Sequence, residues 1–115
     1  MDEWKLDLLA EFLRAERARN RGNEGQARVC ARRAAGIAIR RYLIGQGKRV
    51  PTVSAYDLLI LLKEDPDLPA ELGPIIDHLT LHVTEEFKLP VDADLIAEAR
   101  VLCIALVPDW ETDED

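Results

Sequence analysis

The stretch GNEGQARVCARRAAGIAIRRYL, residues 22–43, decides the fold of this chain. Its first four residues include two glycines and an asparagine, which are typical of a turn between two helices. From residue 24 to residue 44 the spacing predicts a helix, one side of which consists of small residues: Ala27, Cys30, Ala31, Ala34 and Ala38. Small side chains let a neighbouring helix approach closely, and the second half of this helix is apolar on nearly every side. We therefore expect it to be the central helix of a bundle.

The same predicted helix carries the candidate nucleotide- or RNA-binding residues, which are its five arginines: Arg28, Arg32, Arg33, Arg40 and Arg41. Arg28 and Arg32 project together one turn apart, whereas Arg33 and Arg40 share another side of the helix. Arg41 falls within the apolar arc, where an unpaired guanidinium would be costly. We expect Arg41 to pair with a carboxylate or to line a cleft.

The rest of the chain predicts four more helices, over residues 2–20, 55–64, 70–87 and 92–106. Ser54 and the aspartates before residue 95 are suitable N-caps for two of them. Residues 108–115 read as a frayed acidic tail, although Trp110 can pack back on the bundle. The predicted fold is a single all-α domain over residues 1–115, an up-and-down bundle of five helices, four long and one short.

The composition suits such a bundle and excludes several classes of protein. Of 115 residues, 48% are hydrophobic and only 5% aromatic, so Leu, Ile, Val and Ala must build most of the core. Cys30 and Cys103 lie among apolar residues and are expected to be buried free thiols. No run is long and apolar enough for a membrane span, and the N-terminus has acids where a signal peptide has bases. We expect a soluble cytoplasmic protein that does not bind membranes.

Charge is distributed unevenly along the chain. Residues 1–50 contain 12 Lys and Arg against 6 acids, a balance of +6, whereas residues 51–115 contain 3 against 16, a balance of −13. Such a split indicates either a basic binding face on an acidic body or helices that neutralise one another when they pack.

Several segments together resemble the HEPN family, the higher eukaryotes and prokaryotes nucleotide-binding domains. They are the leading Trp4, the run AxxxAxRAAGxAIxxYL over residues 27–43, and SAYDLLILL over residues 54–62. The resemblance extends over residues 4–106 and implies a small all-α bundle that forms a homodimer. It also implies association with nucleotide or RNA and a minimal nucleotidyltransferase as partner.

The chain departs from the family where its ribonuclease branches carry their site. Those branches have an arginine followed after four to six residues by a histidine, but no arginine stands within 28 positions before His78 or His82. Tyr56 also stands where relatives often have a histidine before Asp-Leu. Without an imidazole beside a guanidinium, the usual route for RNA cleavage lacks its acid or base. We therefore expect a non-catalytic module without catalytic residues.

His78 and His82 lie one turn apart, with Glu85 on the same flank, as in a possible metal site. A zinc site needs a third ligand, however, and the HExxH motif is absent, so we expect no metal and no cofactor.

Two alternatives to the non-catalytic module stay open. The chain can instead be a helical scaffold or dimerisation protein that does not bind nucleic acid, or a ribonuclease with a non-standard site.

Overall fold

The computed structural model describes residues 2–81 and 93–110, which form helices and contain no strand. The helices are α1 (Glu3–Asn20), α2 (Glu24–Gly45), α3 (Ala55–Lys63), α4 (Gly73–Leu79) and α5 (Leu95–Leu106), with a short 3-10 turn, Ala70–Leu72, directly before α4. α2 packs against α1, α3 and α5, and α4 packs against α3 and α5. The prediction of an all-α bundle of five helices is confirmed, and α2 is its central helix.

The turn between α1 and α2 follows from its glycine and asparagine. Gly22 has a φ of 80°, and the backbone N–H of Asn23 donates to the carbonyl of Ala18 at 2.8 Å. This left-handed cap closes α1 and reverses the chain, so that α1 and α2 form a hairpin. The side chain of Asn23 then accepts a hydrogen bond from the backbone of Gln26 at 3.1 Å and caps the start of α2.

Two other predicted N-caps are present. The Ser54 hydroxyl accepts a hydrogen bond from the backbone of Asp57 at 3.2 Å, and the Asp94 carboxylate accepts one from Ala97 at 3.2 Å. Each satisfies a backbone donor that the first turn of a helix leaves unpaired. The starts of α3 and α5 are therefore fixed by local sequence.

The core is built around the small-residue side of α2. All five of the residues predicted for this side are fully buried, and Cys30 and Cys103 are buried free thiols as expected. Gly36 lets the start of α3 approach α2 closely, because a Cβ atom at this position would lie 3.0 Å from Cβ of Ala55. The tight packing predicted from the alanines is confirmed, and Gly36 extends it to a second neighbouring helix.

Arg19 joins three helix ends. Its guanidinium donates two hydrogen bonds to Glu24, at 3.0 and 2.7 Å, and a third to Asp94 at 3.0 Å. The hydrogen bonds to Glu24 raise the pKa of Arg19. Arg19 thus links the end of α1 to the first residue of α2 and to the N-cap of α5.

α4 ends earlier than the sequence pattern over residues 70–87 predicts. The helix stops at Leu79, and the Thr80 hydroxyl donates back to the carbonyl of residue 76 at 2.9 Å. In a continuing helix the carbonyls of Leu79 and Leu81 would accept backbone N–H groups, but Arg32 of α2 occupies both of them. The rest of the predicted helix lies outside the described residues.

The end of α5 is followed by a buried tryptophan. Trp110 is 5% exposed, and its ring stacks on Phe12 of α1 with 5.3 Å between ring centroids. The guanidinium of Arg100 lies 4.6 Å from the Phe12 ring centroid. The expectation that Trp110 packs back on the bundle is confirmed, and residues 111–115 of the predicted tail lie outside the described residues.

Candidate anion-binding groove

A groove of about 510 Å³ lies between α1, α2 and the start of α3. The described residues that line it are mostly apolar or basic: Glu11, Val29, Arg32, Arg33, Gly36, Ile37, Arg40, Val53, Ala55 and Leu58. Its volume is within the range of small-ligand pockets, and it combines an apolar floor with three guanidinium groups. We call it the arginine groove.

Arg33 and Arg40 supply two of these cations. Both are exposed, and they lie seven residues apart on the same side of α2, which places them about 10 Å apart along the helix axis. Neither of them forms an ion pair with a described residue. Their guanidinium donors therefore remain open to an anion that enters the groove.

Arg32 supplies the third cation, and its side chain contacts the C-terminal end of α4. Its Nε donates to the carbonyl of Leu79 at 2.7 Å, and its Nη2 donates to the carbonyl of Leu81 at 3.2 Å. Burial, together with the nearby charge of Arg28, lowers the pKa of Arg32. A half-buried cation that is satisfied by carbonyls and not by a carboxylate keeps its full charge beside the groove, which raises the positive potential there.

The other two candidate arginines lie elsewhere. Arg28 is close enough to Arg32 and Glu24 to affect both electrostatically, but it does not line the groove. Arg41 lies in a separate depression of about 310 Å³, where its guanidinium is 5.6 Å from the centroid of the Trp4 ring. The structure thus brings three of the five candidates together, with Arg28 at their edge and Arg41 apart.

Arg41 reaches water in spite of its place in the apolar arc. The residue is exposed and lines a cleft, which is one of the two outcomes expected from the sequence. A long arginine side chain can lie across an apolar surface while its charged end stays hydrated. Here that surface is the indole of Trp4, which also attracts the cation through its π face.

Glu11 of α1 is the groove residue that the sequence did not single out. Its side chain is only 13% exposed. Oε2 lies 3.3 Å from Nη1 of Arg14, whereas Oε1 is buried with no hydrogen-bond partner among the described residues. In the sequence, Glu11 follows Asp7 by four residues and precedes Arg14 by three, which is the spacing of charged pairs on a polar helix face. Its position at the edge of the apolar arc was the only signal that α2 would cover it.

The histidine pair is only partly described. Nδ1 of His78 lies 2.7 Å from Oε1 of Glu98, so that this side chain links α4 to α5. His82 and Glu85 lie outside the described residues. Among the residues that the structure describes, no three His, Cys, Asp or Glu side chains form a group that could hold a metal ion.

No protein-family model, no curated protein and no solved structure matches this chain significantly. Within the described ranges, no helix has the length and apolar character needed to cross a membrane.

Proposed function

We propose that this chain is a non-catalytic module of the HEPN type that binds nucleotides or RNA through the arginine groove. The observation that carries the proposal is the convergence of Arg32, Arg33 and Arg40 on one cavity. Arg33 and Arg40 have no acidic partner among the described residues, and Arg32 donates its hydrogen bonds to backbone carbonyls. Packing among the helices therefore leaves the positive charge of this face largely uncompensated.

The apolar floor of the groove favours a ligand that carries both phosphate and a flat organic group. Val29, Ile37 and Val53 offer surface for a base or ribose, while Arg33 and Arg40 lie where phosphates can be bound. The described lining contains one carboxylate, Glu11, and no imidazole, thiol or hydroxyl group. This set of groups suits binding better than proton transfer, which needs a positioned acid and base.

Binding of a mononucleotide and of a short single-stranded RNA, measured by calorimetry or fluorescence anisotropy over a range of salt concentrations, tests the proposal. Affinity should fall as salt rises, since phosphate contacts release counterions. The double variant R33A/R40A should lose about tenfold or more in affinity and reduce the slope of log K against log salt by about 1–2.

R41A is the control, because it removes one arginine charge from the same helix but from a different face, whereas R33A/R40A removes two. It should change the affinity by less than about twofold. Absence of binding at low salt would leave the helical scaffold as the better description of this protein. An effect of R41A as large as that of R33A/R40A would place the binding surface elsewhere.

A minimal nucleotidyltransferase partner and a cytoplasmic location are further parts of this proposal, and both are supported by the family resemblance and the sequence. Co-expression of the two proteins followed by gel filtration tests the partnership. A stable complex should elute as one peak containing both chains, whereas separate elution at micromolar concentration would contradict it.

A further inference from the structure

A second groove lies on the outer side of α3. It has a volume of about 540 Å³, and Pro51 and Thr52 of the preceding loop line it together with residues of the helix. Tyr56 and Ile60 lie one turn apart in this groove and are 43% and 39% exposed. Large apolar side chains that are grouped in a groove, and not scattered singly over a surface, are typical of an interaction site. We call this site the α3 groove.

Two acids flank the apolar centre of the α3 groove. Asp57 and Glu64 both line it, on either side of Ile60 along the helix axis. They are seven residues apart, which corresponds to about 10 Å along the axis. Both are exposed, and neither forms an ion pair with a described residue; the Asp57 carboxylate accepts a hydrogen bond from the Thr52 hydroxyl at 3.4 Å. Both negative charges are therefore open to a partner.

The segment that contains the groove is acidic as a whole. Residues 51–81 contain one lysine against six acids, a balance of −5. The lysine, Lys63, is paired with Asp77. Arg49 lines a neighbouring depression together with Glu64, but the two side chains form no ion pair. The potential at the α3 groove is therefore negative, in contrast to that of the arginine groove.

We propose that the α3 groove docks a basic amphipathic helix of another protein. Such a helix binds in a groove through apolar side chains three and four residues apart on one face. If it lies nearly along α3, two lysines or arginines seven residues apart on that face match the separation of Asp57 and Glu64. The apolar side chains between its two cations then cover Tyr56 and Ile60.

The combination of charge and apolar surface selects this occupant over others. An acidic groove repels nucleic acids and anionic lipid surfaces, because both carry phosphate. A partner that is only cationic would leave Tyr56 and Ile60 in contact with water, and one that is only apolar would leave two carboxylates unpaired beside it. The α3 groove shares no lining residue with the arginine groove, so the inference does not depend on anion binding.

Two synthetic helical peptides of identical composition test the pattern by fluorescence anisotropy at low salt. In the first, two lysines seven residues apart share a face with the leucines between them; in the second, both lysines are moved to the opposite face. The first peptide should bind at least about tenfold more tightly, and its affinity should fall as salt rises. Equal affinities would overturn the inference, since they would show a general attraction to an acidic chain. Absence of binding of the first peptide at about 1 mM would also overturn it.

Neutralising the two flanking acids tests the location. D57N/E64Q removes both charges while keeping the shape of the side chains, and it should weaken binding of the first peptide about tenfold. E3Q/D7N is the matched control, because it neutralises two exposed acids of α1 near Leu6, which is 51% exposed. It should change the affinity by less than about twofold. An equal effect of the two double variants would overturn docking at α3. Circular dichroism checks that each variant remains helical.

Removing the apolar centre tests the other half of the pattern. I60S should weaken binding of the first peptide about fivefold, whereas V101S, which alters an exposed residue of α5, should leave it unchanged. Self-association of the wild-type chain that I60S abolishes would overturn the inference, because a second copy would then occupy the groove. Nucleotide binding should be the same in I60S, D57N/E64Q and wild type, so that failure of this inference and failure of the proposed function can be told apart.

Discussion

At the scale of single residues, Glu11 is the least easily explained side chain of the arginine groove. One of its carboxylate oxygens is buried without a hydrogen-bond partner among the described residues. A buried acceptor in this state costs about 1–3 kcal/mol, and its negative charge also weakens the positive potential of the arginines around it. The unpaired oxygen of Glu11 therefore lowers folding stability, and its charge lowers the positive potential of the groove.

Replacing Glu11 by methionine removes the unpaired oxygen but keeps an unbranched side chain that suits a helix. We expect Glu11→Met to raise the free energy of unfolding by about 1 kcal/mol, as measured by urea denaturation. The same variant should bind a mononucleotide more tightly than wild type, because a like charge no longer faces the phosphate.

Glu16→Met is the control for Glu11→Met, because Glu16 is an acid of the same helix whose side chain is 49% exposed. Its free energy of unfolding should stay within about 0.5 kcal/mol of wild type. A loss of stability in Glu11→Met would mean that the ion pair of Glu11 with Arg14 outweighs the cost of the unpaired oxygen.

At the scale of elements, the contact between α2 and α3 depends on the absence of a side chain at Gly36. A Cβ atom there would lie 3.0 Å from Cβ and 3.2 Å from Cα of Ala55. Gly25 belongs to the same helix, but a Cβ atom at that position would meet only one atom, at 3.9 Å. The two glycines therefore allow the same substitution to be compared with and without a packing conflict.

Gly25→Ala should stabilise the protein by about 0.5–1 kcal/mol, since alanine favours the helix over the unfolded chain. Gly36→Ala should lower the free energy of unfolding by about 1 kcal/mol, because α3 must move away from α2. Thermal and urea denaturation measure both values. If Gly36→Ala is as stabilising as Gly25→Ala, the approach of α3 is looser than the structure indicates.

For the molecule as a whole, packing of the helices accounts for only part of the uneven charge of the chain. Lys5, Arg19 and Lys48 of the basic first half pair with Asp109, Asp94 and Asp65 of the acidic second half. Arg33 and Arg40 form no such pair with a described residue, and they lie together at the arginine groove. Packing therefore neutralises part of the basic half and leaves one concentrated basic surface.

The cluster around Arg19 predicts how stability depends on pH. The hydrogen bonds from Arg19 lower the pKa of Glu24. Burial by itself would raise the pKa of Asp94, but the hydrogen bonds that Asp94 accepts from Ala97 and Arg19 outweigh this effect, so its pKa is lowered as well. Both carboxyls thus bind protons more weakly in the folded than in the unfolded chain. Their contribution to the free energy of unfolding is fully present above their pKa in the unfolded chain, which is about 4. It is lost as the pH falls through their lower pKa in the folded protein.

Arg19→Met should therefore destabilise the protein by up to about 1 kcal/mol at pH 7, a value kept small because the three side chains are partly exposed to solvent. Its stability should also fall less than that of wild type between about pH 5 and pH 3. Urea denaturation at several pH values measures the difference. Parallel pH profiles for the two proteins would show that Arg19 does not control these carboxyls.

Local sequence predicted the starts of the helices, their caps and the small-residue side of α2, but not the end of α4. Helical periodicity and capping depend on residues within one or two turns, so Asn23, Ser54 and the alanines of α2 could be read directly. Only the tertiary structure decided which arginines meet, because that depends on how α1, α2 and α3 pack together. Arg32 binds the carbonyls of Leu79 and Leu81, nearly fifty residues away, and no local pattern predicts such a contact or the end of α4 that it accompanies.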